Sequence, residues 1–243
     1  MPSTVIAIPC FNEEHRLRVD EVRALCAFPK VTAVLVDDGS TDATRVRLEE
    51  IAADLEGRAC VLSLGKNLGK AEAVRQGLLH GLSVGAQVVG YLDADFSTPA
   101  EEMGRLLTEL ELEGRQVVMG ARVARAGARV IRSASRHYLG RVFATAASIV
   151  LGQPFYDTQC GAKAMRATPA LREALSRPFV SRWAFDVELL GRLLTATEPL
   201  APEAFAEIPL RYWKHVGSSR LRVGAMIGAA WDLLRIRHTL GKP

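Results

Sequence analysis

Short apolar segments alternate with helical patterns over the first 120 residues of this 243-residue chain, and this alternation limits the fold more than any other feature. The apolar segments are too short for buried helices and have the length of buried strands. They cover residues 5–9, 31–36, 60–64, 87–92 and 116–120, with helices expected near 16–27, 43–55 and 69–81. Strands that alternate with helices predict an α/β fold, in which a mostly parallel sheet carries helices on both faces.

The regular alternation stops after residue 120. We expect helices near 132–151, 168–175 and 184–196, an extended stretch over 156–165, a strand over 205–212 and a last helix over 221–239. The chain shows no repeat, low-complexity tract or linker, so we predict one domain over residues 1–243.

Thr98-Pro99-Ala100-Glu101 has the pattern of a helix start. Thr98 suits the capping position, Pro99 suits the first helical position, and Glu101 can reach back to the cap. We therefore expect a helix that begins at Pro99.

The positive charge is unevenly distributed, although the net charge is only +4. Residues 114–156 contain seven arginines and no Asp or Glu, and residues 208–231 are also free of acidic side chains. Both segments lie in the second half of the chain, which suggests an anionic partner there. Solvated arginines on an exposed face are the alternative for each single residue.

Cysteine spacing and hydropathy indicate the compartment. The four cysteines show neither a CxxC spacing nor a disulfide framework, and no apolar run approaches the roughly 20 residues that span a bilayer. We expect a cytoplasmic protein that does not cross a membrane.

Acidic residues gather at the predicted carboxyl edge of the sheet, where ligands bind in folds of this class. Asp37 and Asp38 follow the second strand, and Asp93 and Asp95 follow the fourth. Carboxylates at positions i and i+2 of an extended chain point to the same side, and their oxygens suit Mg²⁺ or Mn²⁺. We expect Asp93 and Asp95 to hold such an ion against the diphosphate of a nucleotide sugar. A polar turn ahead of Thr98 is the structural alternative.

The segment Asp37–Asp42 (DDGSTD) also has a structural explanation, as a strand-to-helix turn. Gly39 suits the tight bend, and Ser40 and Asp42 suit the turn and the cap. Asp38 is needed for neither, so we expect its carboxylate to accept hydrogen bonds from a uracil or a ribose.

Four motifs, in this order, resemble the signatures of family 2 glycosyltransferases with the GT-A fold. They are Ile8–Glu14 (IPCFNEE), Val36–Asp42 (VDDGSTD), Asn67–Lys70 (NLGK) and Tyr91–Asp95 (YLDAD). Two later blocks, Asp157–Lys163 (DTQCGAK) and Arg182–Leu190 (RWAFDVELL), resemble the dolichyl-phosphate β-glucosyltransferases within that family. The resemblance extends over about residues 4–235, and the two later blocks are its most specific part.

The resemblance implies a role for each matching residue. Residues 1–120 would bind the nucleotide sugar, and residues 121–243 would bind the acceptor and carry membrane-proximal helices. The nucleoside pocket would be lined by Pro9, Phe11, Glu13, Asp38 and either Asn67 or Lys70. Asp93 and Asp95 would form the metal and diphosphate site, and Asp95 would also be catalytic. Gln159 would approach the sugar, and Asp186 would face the acceptor as a catalytic residue. The acceptor phosphate would be held by Arg122, which would also be catalytic, with Arg132 and Arg220 as weaker candidates.

The activity implied by the resemblance is inverting transfer of glucose from UDP-glucose to a polyprenyl phosphate, dolichyl or undecaprenyl, with Mg²⁺ or Mn²⁺. A lipid phosphate is largely dianionic at neutral pH, so it needs no strong base to act as a nucleophile. The enzyme would be peripheral on the cytoplasmic face of a membrane, and we expect no nucleic-acid partner.

Two other functions stay open. One is a polyprenyl-phosphate mannosyltransferase that uses GDP-mannose. The other is a non-catalytic GT-A-like binding module, although such a protein would be expected to have lost Asp93, Asp95 or Asp186. A nucleotidyltransferase fits less well, because its first strand should lead into a glycine-rich loop. Here residues 9–13 read PCFNE instead.

Overall fold

The computed structural model describes residues 3–131, 134–214 and 223–240. Its strands are β1 (Thr4–Cys10), β2 (Val31–Asp37), β3 (Ala59–Ser63), β4 (Val88–Leu92), β5 (Val117–Ala121), β6 (Arg129–Ile131), β7 (Ala162–Arg166), β8 (Phe205–Pro209) and β9 (Tyr212–Lys214). Its helices are α1 (Val19–Ala27), α2 (Thr44–Asp54), α3 (Lys70–Ser83), α4 (Ala100–Leu110), α5 (Ala134–Leu151), α6 (Pro169–Leu175), α7 (Phe185–Leu194) and α8 (Val223–Leu240). The predicted α/β class and the five early strands are confirmed.

Seven strands form the main sheet, in the order β3, β2, β1, β4, β7, β5, β8. Every neighbouring pair is parallel except the two that involve β7, which runs antiparallel between β4 and β5. The antiparallel direction brings the start of β7 to the edge where β4 and β5 end. Strands β6 and β9 pair separately as a small parallel sheet.

Helices cover both faces of the main sheet, because its strands are apolar on both sides. In β1, Val5 and Ala7 pack against the layer that contains α3, α5, α6, α7 and α8. Ile6 and Ile8 point the other way, into the layer built by α1, α2 and α4. This is the packing that continuous apolar strands of a parallel sheet require. None of the helices within the described ranges has the length and hydrophobicity needed to cross a membrane.

Helix α4 starts differently from the prediction. The helix begins at Ala100, Pro99 is its capping residue, and no side chain of this segment bonds the first turn. Glu21 of α1 accepts the Ala100 N–H at 2.8 Å instead. Thr98 lies one residue before the capping position, so it is not the cap that its sequence context predicts.

Candidate active site at the carboxyl edge of the sheet

The predicted site residues that the structure describes lie at one edge of the main sheet. Strands β1 to β5 all end there, and β7 starts there. Pro9 and Phe11 lie at the end of β1, Asp38 follows β2, Asn67 and Lys70 follow β3, Asp93 and Asp95 follow β4, Arg122 follows β5, and Gln159 precedes β7. Arg132 and Arg220 lie outside the described residues, so their roles stay predictions.

The loops after β1 and β2 are tied together by Asn12. Its side-chain oxygen accepts the Thr41 N–H at 2.9 Å, and its own N–H donates to Ser40 Oγ at 3.2 Å. Asn12 has a φ of 52°, a left-handed conformation that asparagine tolerates better than most residues. The two loops therefore form one connected wall of the site.

Asp38 holds the loop that leads into α3. Its two carboxylate oxygens accept the N–H groups of Leu68 at 2.7 Å and Gly69 at 2.8 Å. Burial raises the pKa of this carboxyl, and the two amides partly counteract the rise. Asp38 thus shapes the Asn67–Lys70 segment, and both of its oxygens already have a partner before any nucleoside binds.

Phe11 and Glu13 follow β1 and belong to this wall. Phe11 is 40% exposed, which leaves an aromatic surface free for stacking. The Glu13 N–H donates to Thr44 Oγ1 at 2.7 Å, and Arg16 donates to Glu13 Oε1 at 2.7 Å. Glu13 Oε2 is buried without a hydrogen-bond partner. Burial raises the pKa of Glu13, and the charge of Asp95 adds to the rise.

Lys70 lies among the acidic residues of the site. Its Nζ is 2.7 Å from Asp93 Oδ1 and lies 5.9 Å from the centre of the Phe185 ring. Burial lowers the pKa of Lys70, but the charges of Asp93 and Asp186 more than offset this, and the pKa is raised. Lys70 therefore connects the Asp93 side of the site with the Asp186 side.

The residues present fit a divalent cation. Asp93 Oδ1 is buried and accepts no hydrogen bond, and only a cation, Lys70 Nζ, lies against it. Asp95 accepts the Ser97 N–H at 2.9 Å through one oxygen, which orients its carboxylate. No group of three or more Asp, Glu, His or Cys side chains within the described ranges is arranged to hold a metal. Two carboxylates suit Mg²⁺ or Mn²⁺ only when substrate phosphates and water complete the coordination.

The position of Asp93 explains why the Asp157–Lys163 block has a glycine at residue 161. A Cβ at this position would lie 2.1 Å from Asp93 Oδ2 and 2.4 Å from Asp93 Oδ1. The Asp93 N–H also donates to the Gly161 carbonyl at 3.0 Å. The Asp93 carboxylate is therefore seated against the backbone of Gly161, and any side chain there would displace it.

Asp186 is held by a buried lysine that sequence reasoning missed. Lys163 Nζ lies 2.5 Å from Asp186 Oδ1, 2.9 Å from the Tyr91 hydroxyl and 2.8 Å from the carbonyl oxygens of Thr158 and Cys160. The Tyr91 hydroxyl also donates to Asp186 Oδ1. Lys163 has no exposed surface. One ammonium group thus joins β4, β7, the loop before β7 and the start of α7. The sequence signal that could have identified it is a single lysine among the apolar residues of β7.

Arg122 is paired with Asp157. The Arg122 Nε and Nη2 atoms donate to the two Asp157 oxygens, each at 2.7 Å, and the Arg122 N–H adds a third bond at 2.9 Å. Burial lowers the pKa of Arg122, but Asp157 outweighs it and the pKa is raised. Glu207 accepts the N–H groups of Tyr156 and Asp157 at 2.7 Å, which fixes this loop to β8. The two fork positions of Arg122 that would hold a phosphate are therefore engaged with Asp157.

Two further polar groups before β7 have no partner. Thr158 Oγ1 and Gln159 Nε2 are buried without a hydrogen bond. Buried polar groups are nearly always satisfied, so orphaned ones in a cleft point to a bound ligand or water. Glu13 Oε2 is a third such atom among the described residues. Asp93 Oδ1 also lacks a hydrogen bond, but its charge is paired with Lys70 Nζ at 2.7 Å.

Arg182 joins the two halves of the site and was also missed. Its Nη2 donates to Asn67 Oδ1 at 3.1 Å. Its Nε lies where a Cβ on Gly69 would be 2.6 Å away, and Gly69 has a φ of 94° that favours glycine. The Asn67–Lys70 segment is therefore enclosed between Asp38 and Arg182. Asp38 belongs to the first half of the chain and Arg182 to the second.

Comparisons with known proteins identify the family. A family model described as glycosyl transferase family 2 matches residues 5–171. The chain is 29% identical to a dolichyl-phosphate beta-glucosyltransferase of Trichomonas vaginalis, over 96% of this chain and 70% of that protein. It is 31% identical to the dolichyl-phosphate beta-glucosyltransferase of Drosophila melanogaster, over 89% and 68% of the two chains. It is 28% identical to the polyprenol monophosphomannose synthase of Mycolicibacterium smegmatis, over 95% and 87%.

Solved structures show the same fold. The glucosyl-3-phosphoglycerate synthase from Mycobacterium tuberculosis in complex with UDP aligns with a TM-score of 0.70 and 19% identity, over 98% of this chain and 80% of that chain. Its complex with Mn²⁺, UDP-glucose and phosphoglyceric acid aligns with a TM-score of 0.70 and 20% identity, over 98% and 79%. The predicted GT-A fold is confirmed.

Proposed function

This chain belongs to glycosyl transferase family 2, and we propose that it transfers glucose from UDP-glucose to a polyprenyl phosphate with inversion at the anomeric carbon. Relatives named for dolichyl-phosphate glucosyl transfer and for polyprenol monophosphomannose synthesis, each matching most of this chain, support a polyprenyl phosphate as the acceptor. The glucosyl relatives, the later sequence blocks and the UDP-glucose complex of a protein with this fold favour UDP-glucose as the donor.

The observation that carries the proposal is the meeting of Asp93, Lys70 and Asp186 at the junction of β4 and β7. A transfer from a nucleotide sugar to a phosphate brings two polyanions together, so the site has to supply cations between them. Lys70 is ion-paired with Asp93, and the charge of Asp186 helps to raise the pKa of Lys70. Lys163 holds Asp186 from the buried side. Of these two cations, Lys70 is the one with exposed surface, so it is the one that donor and acceptor phosphates could reach.

On the donor side, Phe11 offers a face for the base, and Pro9 and Glu13 line the same opening. We propose that Asp38 acts by positioning the loop that contains Asn67, since both of its oxygens are bound to that loop. Asp93 and Asp95 would hold Mg²⁺ or Mn²⁺, which would neutralise charge on the leaving diphosphate.

On the acceptor side, an oxygen of the lipid phosphate forms a bond to the anomeric carbon while the bond from that carbon to the diphosphate breaks. The bonding electrons leave with UDP, and attack on the opposite face converts an α-linked donor into a β-linked product. The phosphate dianion is already the nucleophile, so no proton has to be removed. The chain has to hold the two groups in line, and correct orientation alone contributes much of the rate.

Asp186 and Gln159 would position the sugar and the acceptor. The ion pair to Lys163 fixes the direction of the Asp186 carboxylate. Gln159 Nε2 is an unsatisfied donor suited to a sugar hydroxyl. Arg122 would support the acceptor loop through Asp157, with any direct phosphate contact left to the donors that Asp157 does not engage. We place the enzyme at the cytoplasmic face of a membrane, where a polyprenyl phosphate would be met.

A mannosyl transfer from GDP-mannose is the second candidate, since the polyprenol monophosphomannose synthase matches 95% of the chain. Isothermal titration calorimetry of UDP and GDP with added Mn²⁺ separates the two. UDP should bind more tightly, and the Asp93→Ala variant should lose most of this binding. Asp54→Ala, a surface carboxylate paired with Arg23, is the matched control and should bind as wild type does. Tighter binding of GDP would make the mannosyl candidate the better account.

A further inference from the structure

Large apolar side chains are exposed on two helices and a loop that adjoin the site. Among the described residues, ten large hydrophobic side chains are exposed, and six of these lie on α5, on α8 and in the loop before α7. We call these six the apolar rim: Tyr138, Val142, Ile149, Trp183, Trp231 and Leu234. Tyr138 is 71% exposed and Trp231 is 65% exposed, so two large aromatic side chains lie mostly in solvent.

The rim on α5 lies opposite the side of the helix that packs in the core. Val142 and Ile149 are seven residues apart, two helical turns, and so share one side of α5. Ala144, Ala147 and Leu151 are buried on the other side. Helix α5 is therefore apolar on its solvent side as well, which the packing of the fold does not require.

Helix α8 shows the same pattern. Leu233 and Ile236 are buried, whereas Trp231 and Leu234, one turn apart, are exposed. Both α5 and α8 pack against α7, and they pack against each other, so the two exposed apolar faces belong to one helical layer.

Direct contacts connect the three segments of the rim. Phe143 of α5 packs edge-to-face on Trp183 with 5.0 Å between ring centres. The Trp183 N–H donates to Ser181 Oγ at 3.2 Å, and Ser181 Oγ donates to Asp232 of α8 at 2.6 Å. These contacts hold the loop before α7 between α5 and α8. Trp183 lies three residues before Asp186, so the rim borders the site.

The charge around the rim is positive. Helix α5 contains no Asp or Glu. Helix α8 contains one acid, Asp232, which is bonded to Ser181 and lies 3.8 Å from Arg235. Arg235 and Arg237 are exposed next to Leu234 and Ile236. Basic residues beside exposed Trp and Tyr are typical of segments that lie in the headgroup region of an anionic membrane. A second copy of the chain would bring the same positive charges against each other.

We propose that the apolar rim inserts into the headgroup region of an anionic bilayer and so places the mouth of the site at the membrane surface. The inference rests on the proposed polyprenyl phosphate acceptor, whose isoprenoid chain stays in the bilayer while its phosphate enters the site next to Trp183. Burial of each apolar side chain strengthens vesicle binding, and the arginines add attraction to anionic lipid.

Vesicle co-sedimentation tests the rim with matched variants. The double variant Val142→Ser/Leu234→Ser changes two rim residues that have no part in the site. The double variant Val46→Ser/Leu112→Ser changes two similarly exposed residues far from the rim, since Leu112 is 51% exposed and Leu234 is 59% exposed. Vesicles of phosphatidylcholine mixed with phosphatidylglycerol should bind the rim variant at least about tenfold more weakly than wild type, and the control variant equally well.

Two further arms keep the outcomes distinct. Transfer to a short, water-soluble isoprenyl phosphate should be unchanged in the rim variant, which shows that the site is intact. If both variants bind mixed vesicles as tightly as wild type does, the proposal that the apolar rim binds the membrane is wrong, and the proposed function is unaffected. If the rim variant loses vesicle binding but wild type transfers sugar to no isoprenyl phosphate, the membrane role of the rim is supported and the proposed acceptor is contradicted. A wild-type dimer that the rim variant converts to a monomer, with no vesicle binding, would identify the rim as a self-association surface and overturn the inference.

Discussion

Replacing Gly161 by alanine should disable the site without unfolding the protein. The new Cβ would lie 2.1–2.4 Å from the carboxylate atoms of Asp93. Non-bonded heavy atoms need about 3.5 Å, so the carboxylate has to retreat by roughly 1.1–1.4 Å. Such a shift would separate Asp93 from Lys70, which now lies 2.7 Å away. A displacement of about 1 Å in a catalytic group can cost on the order of 100-fold in rate, and we expect a loss of that size.

The free energy of unfolding should change little. Overpacking usually costs about 1–3 kcal/mol, and the cost here should fall at the lower end because the displaced group is the free end of a side chain. The assay combines initial rates of transfer to a soluble isoprenyl phosphate with Mn²⁺ and UDP titration calorimetry and a thermal melt. Gly228→Ala is the matched control, because a Cβ there meets nothing within 4 Å. It should keep wild-type activity and gain up to about 1 kcal/mol of helix stability.

A double-mutant cycle gives the sharpest test of this reasoning. In an Asp93→Ala background the Cβ of Gly161→Ala has room, so the second substitution should add almost no further loss of activity. Additive losses, or a Gly161→Ala enzyme with wild-type rates, would refute the claim that Gly161 acts by seating the Asp93 carboxylate.

Three other predictions follow from the site. EDTA should abolish transfer and Mg²⁺ or Mn²⁺ should restore it, and Asp95→Ala should stay folded by circular dichroism but inactive; full activity in chelator would contradict the metal role. Lys163→Met should lower stability by about 3–5 kcal/mol in chemical denaturation, because it leaves the buried Asp186 carboxylate without its cation, whereas Tyr91→Phe should cost only about 1–2 kcal/mol; equal losses would argue against Lys163 as the central group. Arg122→Lys should raise KM for the lipid acceptor more than for the donor and lower the melting temperature, because an ammonium cannot replace the fork that binds Asp157; a change confined to donor binding would assign Arg122 to the donor side.

The sequence predicted the edge of the site but not its internal partners. Short apolar strands required a parallel sheet, so residues that follow them, such as Asp38 and Asp93, had to meet at one edge. Their partners come from distant parts of the chain. Lys163 is 72 residues from Tyr91. No local pattern records that β7 pairs antiparallel with β4 and places these two residues opposite each other.

Two Thr-Pro-Ala segments show why local patterns fail at particular positions. Thr168 caps α6, and its Oγ1 accepts the Leu171 N–H at 3.2 Å. Thr98 occurs in the same local pattern, yet Glu21 from another helix takes the first amide of α4 instead. The same local sequence therefore starts a helix in two different ways, depending on which side chain from elsewhere in the fold reaches its first turn. The same holds for Arg122, whose position after β5 was foreseen but whose partner Asp157 was not.

The central claim is that the chain transfers glucose from UDP-glucose to a polyprenyl phosphate. The direct test offers UDP-glucose and GDP-mannose, each with a different isotope in the sugar, together with a short polyprenyl phosphate and phosphoglyceric acid as competing acceptors. Mass spectrometry of the products should show a polyprenyl phosphate that carries the label of the glucose donor. A lipid that carries the mannose label would contradict the donor assignment. A label found only on phosphoglyceric acid, or no sugar-bearing lipid at all, would contradict the acceptor and with it the account as a whole.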